Sequence, residues 1–195
     1  MVDLHSIPYL IPALASAVPI GLAGYGGVFS ERAGIVNIAL EGMMISGAFA
    51  GLYFSQLHGV AFGFCSAAFV GILISVLHLF LTTYLNLDHV VSGVGINIIA
   101  LDSTTFLYKV LYSSQDKQAE ITTGIPILAF IFYMVLAGLM LQTLLFRSRF
   151  GLRLRSIGEH PLAAKIAGIH VGPIRAISMT LCGIFAGTAG AFLSI

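Results

Sequence analysis

Charge is what this chain has least of. Lysine and arginine number 9, aspartate and glutamate 8, and together they make up 9% of 195 residues. A soluble domain carries about 25%. Hydrophobic residues make up 58% and the mean hydropathy is +1.00, so the composition is that of an integral membrane protein. A net charge of +1 supplies no field for nucleic acid or an acidic partner, and no nucleic acid is expected. Cysteine is scarce too. Cys65 and Cys182 each stand alone in an apolar run, without a CxxC pair or metal-ligand spacing. They read as small buried hydrophobes, and no metal is expected. The opening MVDLHSIPY lacks a basic n-region and an A-x-A cleavage site, so it does not read as a removable signal peptide. The first hydrophobic span is then expected to serve as the insertion signal itself. No G-x-x-x-x-G-K-[ST] stretch occurs, which excludes a P-loop. No Ser/His/Asp set or carboxylate pair suggests an enzyme, and no cofactor or catalytic residue is expected in this chain.

What is present is long uncharged sequence. A membrane helix needs about 20 mostly apolar residues. Leu4 to Ser30, Gly42 to Leu87, Ile121 to Phe146 and Ala176 to Ile195 contain no Asp, Glu, Lys or Arg, and His89 to Tyr108 is interrupted only by Asp102. These runs predict six spans near 7–29, 38–56, 60–85, 90–112, 125–146 and 176–195. The runs are continuous rather than alternating, which favours helices over a barrel. The expected fold is an all-α, polytopic transmembrane helix bundle forming a single domain over 1–195. Gly47 with Gly51, Gly59 with Gly63 and Gly183 with Gly187 form GxxxG pairs that let helices approach closely.

Six of the nine basic residues lie between spans five and six: Arg147, Arg149, Arg153, Arg155, Lys165 and Arg175. Only Glu159 opposes them. The positive-inside rule puts this 147–175 loop in the cytoplasm. Counting back places 113–124 outside and 30–37 inside, with the N-terminus outside unless 26–42 is a re-entrant break. Within the loop, HPLAAKIAG predicts one short helix. His160 stands at the cap, Pro161 at the first helical position, and Gly168 at a left-handed end. Leu162 and Ile166 share a face, with Ile169 three residues on. Two turns are too short to be stable alone. The helix either lies on membrane lipid headgroups or seats in a groove on a cytosolic protein.

The stretch FSERAGIVNIALEGMM, 29–44, gathers Glu31, Arg32, Asn37 and Glu41 in an apolar region. Gly26, Gly27 and Gly34 weaken a helix, and Ser30 is placed to cap a new one, so a broken helix is expected. Asn37 and Glu41, four apart, would share a helical face. Polar groups at a break often line a transporter's site. Asn37, Asn97 and Glu41 suit a neutral polar solute, with Glu41 as acceptor. The alternative is helix-to-helix bonding that only holds the bundle. A lone intramembrane acid, Asp102 in IIALDSTTF is either a site for an ion or proton relay or, as favoured here, protonated and bonded to Ser103, Thr104 or a neighbouring helix. His78 is expected to be a hydrogen-bonded packing residue.

Three blocks carry a family resemblance: GGVFSERAGIVNIALEGMMISGAFAG at 26–51, DHVVSGVGINIIAL at 88–101, and FGLRLRSIGEHPLAAKIAGIHVGPIR at 150–175. CGIFAGTAGAFLSI at 182–195 extends it. The chain resembles permease subunits of bacterial ABC importers of the branched-chain amino acid and simple-sugar class, in the nucleoside or simple-sugar branch. The resemblance implies a multi-pass protein of the bacterial cytoplasmic (inner) membrane. It also implies a cytosolic ABC ATPase subunit that uses the ATP, a second permease subunit and an external substrate-binding lipoprotein. It makes Gly158, Glu159, His160, Pro161, Ala163, Ala164, Gly168 and Ile169 the coupling helix that docks on the ATPase. Family members continue past this end for several spans, so an incomplete permease is expected. The alternative is a truncated or remnant membrane protein without transport activity of its own.

Overall fold

The computed structural model describes residues 7–112 and 127–195, with side chains over 16–112, 129 and 131–195. Among the described residues there is no strand. Eight α-helices follow one another: α1 (Ile7–Arg32), α2 (Leu40–His58), α3 (Val60–Thr83), α4 (His89–Tyr112), α5 (Ile127–Gln142), α6 (Arg149–Glu159), α7 (Pro161–Ile166) and α8 (Val171–Ser194). A π-helical turn, Thr143–Arg147, extends α5. Lipid offers no partner for backbone N–H and C=O groups, and a helix satisfies them internally, so the apolar runs become helices. Each of the six predicted spans carries one of the six longer helices. Of these, α3, α4 and α8 are each long and apolar enough to cross a membrane, and a fourth span results if the bent α5–α6 pair is counted as one. The expected 113–124 loop lies outside the described residues.

The chain forms an all-α membrane helix bundle organised around α8. In the apolar window of α8, 61% is buried, against 22% in α3 and in α4. It packs against α3, α2 and α1. The cause is its small-residue composition: Gly183, Ala186, Gly187, Ala189, Gly190 and Ala191 are all buried. A Cβ at Gly47 would stand 2.5 Å from the Gly187 carbonyl oxygen, and one at Gly51 would stand 2.9 Å from Ala191 Cβ. A Cβ at Gly71 would overlap the Gly183 carbonyl. Backbone against backbone is how helices gain dispersion contact where lipid removes the hydrophobic drive. Gly59 takes no part in such packing. Its φ is +90° in the tight turn between α2 and α3, and nothing lies within 4 Å of a Cβ built there. It serves the turn, where a left-handed backbone favours glycine.

These contacts fix directions. Gly47 meets Gly187 and Gly51 meets Ala191, so α2 runs parallel to α8. Gly63 reaches Ile195 and Gly71 reaches Gly183, so α3 runs antiparallel. Tyr112 Oη donates to Gln56 Oε1 at 2.7 Å, and Asn97 meets Gly42, so α4 runs parallel to α2. Gly26 lies by Cys182 and Ala33 by Arg175, which sets α1 antiparallel to α8. The arginine-rich arm, the end of α1 and the start of α8 therefore share one end of the bundle.

Several sequence expectations change here. The arm is not one short helix but two. After the π turn the chain bends by 74° into α6. Ser148 caps α6, accepting from Gly151 N at 3.0 Å and donating to Leu144 O at 2.5 Å. A Cβ at Gly151 would overlap the Leu144 and Leu145 carbonyls, so glycine is required at the bend. Cys65 is exposed on α3 rather than buried, while Cys182 is buried as expected. Asp102 is exposed on α4. Its threonine neighbours turn their hydroxyls to the backbone, Thr104 to Ala100 O at 2.7 Å and Thr105 to Leu101 O at 2.7 Å. No bond joins Asp102 to Ser103, Thr104 or another helix among the described residues. A helical i−4 carbonyl lies nearer a threonine hydroxyl than a following side chain does.

Candidate functional site: a broken segment and the arm beside it

In place of the expected broken helix, the chain reverses between two antiparallel helices, α1 and α2, and the reversal falls later than the glycines suggested. α1 runs on through Gly26, Gly27 and Ser30 to Arg32. Gly26 serves close packing, since a Cβ there would be 2.9 Å from the Cys182 carbonyl oxygen. Ser30 does not cap a new helix. It is buried, and its hydroxyl donates back to Gly27 O at 2.9 Å. The turn comes at Gly34, with φ +76°, a conformation that disfavours other residues. Ile35, Val36 and Asn37 are then non-helical, and α2 begins at Leu40. Asn37 therefore precedes the helix and does not share a helical face with Glu41.

The break lies within the bundle. Its lower end bonds Arg175 and its upper end bonds Cys182, seven positions along α8. That separation is about 10 Å at 1.5 Å per helical residue. Four residues can reach at most about 13 Å, so the chain has length to climb beside α8. Ile35 and Asn37 face inward, while Val36 and Ile38 are exposed.

Extended backbone inside a membrane protein is tolerated only where its polar groups are met. Side chains from three helices meet them here. Arg175 Nε of α8 donates to Ala33 O at 3.1 Å. His78 of α3 bridges Val36 O at 3.4 Å and Ser92 Oγ at 3.1 Å. Because the Val36 carbonyl only accepts, Nε2 carries the proton, and in the neutral ring Nδ1 then accepts from Ser92. His78 is thus a buried, hydrogen-bonded packing residue, as expected. Asn97 of α4 donates to Ile38 O at 3.0 Å and accepts from Gly42 N at 2.8 Å, filling an orphan N–H of the first turn of α2. Asn37 closes the set. Its oxygen accepts from Ala39 N at 3.0 Å, and its nitrogen donates to Cys182 Sγ at 3.1 Å and to Met43 Sδ at 3.9 Å.

The three residues expected to line a pathway consequently differ. Asn37 is 7% exposed and its amide is engaged on both sides. Asn97 is half-buried and keeps one N–H beyond its two bonds. Glu41 is exposed on the first turn of α2, one position before Gly42. The structure sets Asn97 against Gly42 at the α2–α4 contact, leaves Glu41 exposed one position earlier, and turns Asn37 toward α8. Sequence reasoning missed Arg175 and His78 as partners of the break. A lone histidine and a loop arginine carry no local sign of partners 42 and 142 positions away.

Beside the break stands the arm. α6 buries Gly151, Leu154 and Ile157 on one face, a three-residue repeat that the surrounding arginines obscured. α7 has the expected caps. His160 Nδ1 accepts from Ala163 N at 3.1 Å, Pro161 is in the first turn, and Gly168 has φ +81°. Its inner face is Ala164, buried in one cluster with Ile157, Ala33, Phe29 and Ile174. Its outer face shows Leu162 at 66% and Ile166 at 86% exposure, with Ala163 also exposed. Gly158, Glu159, His160, Pro161 and Gly168 are exposed as well. Ile169 differs from the expectation: it is half-buried against the Ala164 cluster rather than aligned with Leu162 and Ile166. The left-handed Gly168 reverses the chain and turns Ile169 inward.

A helix bundle with a non-helical reversal between two antiparallel helices packed inside it, and an arm presenting an apolar face, fits a membrane permease. Over residues 9–195 the chain matches the family described as branched-chain amino acid transport system / permease component, and it belongs to that family. It is 37% identical to the guanosine ABC transporter permease protein NupQ of Bacillus subtilis, over 93% of this chain and 65% of the relative. It is 36% identical to the nucleoside ABC transporter permease protein NupC of Lactococcus lactis, over 91% of this chain and 64% of the relative. A putative glucose ABC transporter permease protein of Haloferax volcanii is 32% identical over 89% of this chain and 58% of its own length. The chain thus spans a little under two thirds of the relatives it matches. No solved structure matches it.

Proposed function

We propose that this chain is the permease subunit, or the larger part of one, of an ATP-driven ABC importer for nucleosides or simple sugars. Its similarity to guanosine and nucleoside permeases, and to a putative glucose permease, supports that substrate class. In this reading the arm faces the cytosol and α1 begins outside. The observation that carries it is α7: a six-residue helix, capped at both ends, anchored inward by Ala164, with Leu162 and Ile166 presented outward. Exposed leucine and isoleucine on a helix too short to stand alone call for a partner groove. That groove belongs to a cytosolic ATPase subunit, which would supply the hydrolysis that this chain has no P-loop to perform. A second permease subunit and an external substrate-binding lipoprotein complete the assembly, which sits in the bacterial cytoplasmic membrane.

The mechanism follows as alternating access. ATP binding draws the ATPase pair together and displaces the docked arms, and the bundle opens on its other face. The solute passes along the α2–α4 side. There Glu41 accepts hydroxyl or ring N–H donors, and the remaining Asn97 N–H donates. Asn37 acts indirectly, by fixing the break against α8. The test is Ala163→Asp, which sets a carboxylate in the centre of the docking face while leaving the buried Ala164 contact alone. The partner ATPase subunit should no longer co-purify with the variant. Undiminished co-purification overturns the docking assignment.

A further inference from the structure

We infer that the end of α6 and the broken segment 33–39 form one rigid body, and that this body, through Arg175 and Gly158, carries displacement of α7 into the bundle core. The inference rests on the permease reading above and deepens it by naming the residues of the mechanical link.

Three observations converge. Gly158, the penultimate residue of α6, lies directly on the end of α1: a Cβ there would overlap the Arg32 carbonyl. A Cβ on Gly34 would stand 3.5 Å from Gly158 Cα and 3.4 Å from an Arg175 terminal guanidinium nitrogen. Arg175 itself donates to Ala33 O at 3.1 Å. The turn that starts the break is therefore held between α6 on one side and the first turns of α8 on the other. Ala33 and Ala164 share one buried cluster with Ile157, so the inner face of α7 joins the same body. Close-packed interiors transmit displacement rather than absorb it. From Gly34 the strand climbs to Asn37, whose amide grips Cys182, and on to Ile38, held by Asn97. A push on α7 thus arrives at the α2–α4 contact without crossing a flexible joint. Arg175 is a positioning residue here, since it acts through Ala33 O.

The test uses the assembled transporter in proteoliposomes and reads three quantities: ATPase retained, ATP hydrolysed, and solute taken up per ATP. Arg175→Gln should keep the ATPase bound and hydrolysing while uptake per ATP falls tenfold or more. Arg175→Lys retains a cationic donor and should recover at least half of the lost uptake. A purely structural defect would lower all three quantities together. Uptake per ATP within twofold of wild type in Arg175→Gln overturns the inference. So does loss of the ATPase from Arg175→Gln alone, which would make Arg175 part of the docking platform. An ATPase that fails to bind even the wild type refutes the permease reading, and the inference with it.

Discussion

Removing Asn97 should loosen the break in a measurable way. The side chain makes two bonds to it, to Ile38 O at 3.0 Å and from Gly42 N at 2.8 Å. Asn97→Ala leaves both backbone groups without these partners. Interhelical hydrogen bonds in membrane proteins contribute about 0.6 to 2 kcal/mol each, so the pair amounts to about 2 kcal/mol. That is a factor of about 30 in the equilibrium between closed and opened break. Cys182 reports the opening, because its thiol is buried and lies against Asn37, Ala39, Met43 and Ile96. Cys65 is exposed and must first be replaced by serine. The rate of Cys182 modification by a small maleimide, in detergent under native conditions, should rise about 30-fold in Asn97→Ala. Asn97→Gln, which keeps the amide but displaces it, should fall between the two. A rate within threefold of the parent would show that Asn97 does not hold the break.

Other perturbations separate packing from coupling. Gly187→Ala puts a methyl group onto the Ala67 carbonyl and the Gly71 backbone of α3. Overpacking of this kind costs about 1–3 kcal/mol, so thermal denaturation in detergent should shift down by several degrees, and an unchanged midpoint would contradict the close α3–α8 approach. His160→Ala removes the acceptor for Ala163 N, a cap worth about 1 kcal/mol. ATPase affinity should weaken about fivefold and return in His160→Asp. If Asp restores nothing, the histidine acts through contact with the partner instead. The Ala163→Asp and Arg175→Gln experiments complete the set: the first should detach the ATPase, and the second should leave it attached but unproductive.

The permease family was legible in the sequence because the motifs are long and contiguous. The helices were legible because uncharged runs of about 20 residues leave lipid-exposed backbone no other solution. The cap, first proline and terminal glycine of α7 are local chemistry, and they fall where HPLAAKIAG placed them. The break was only partly legible. A run with Gly26, Gly27 and Gly34 shows that something interrupts regular packing, but not which glycine bends the chain and which lets a neighbour approach. Gly26 proved to be a contact with α8 and Gly34 the turn. α6 was hidden because its buried positions, Gly151, Leu154 and Ile157, alternate with arginines that compositional reading assigns to topology.

The sequence by itself determined that the chain is a helical membrane protein, where its long helices run, how α7 is capped and which family it belongs to. Each of these depends on interactions within a few turns of chain or on the solvent the chain meets. Only the tertiary structure decided what Asn37, His78, Asn97 and Arg175 do. Their partners lie from 2 to 145 positions away, and an amide or guanidinium has the same composition whether it faces a solute or a neighbouring carbonyl. Which of these it meets is set by how closely the glycines of α8 let the surrounding helices approach.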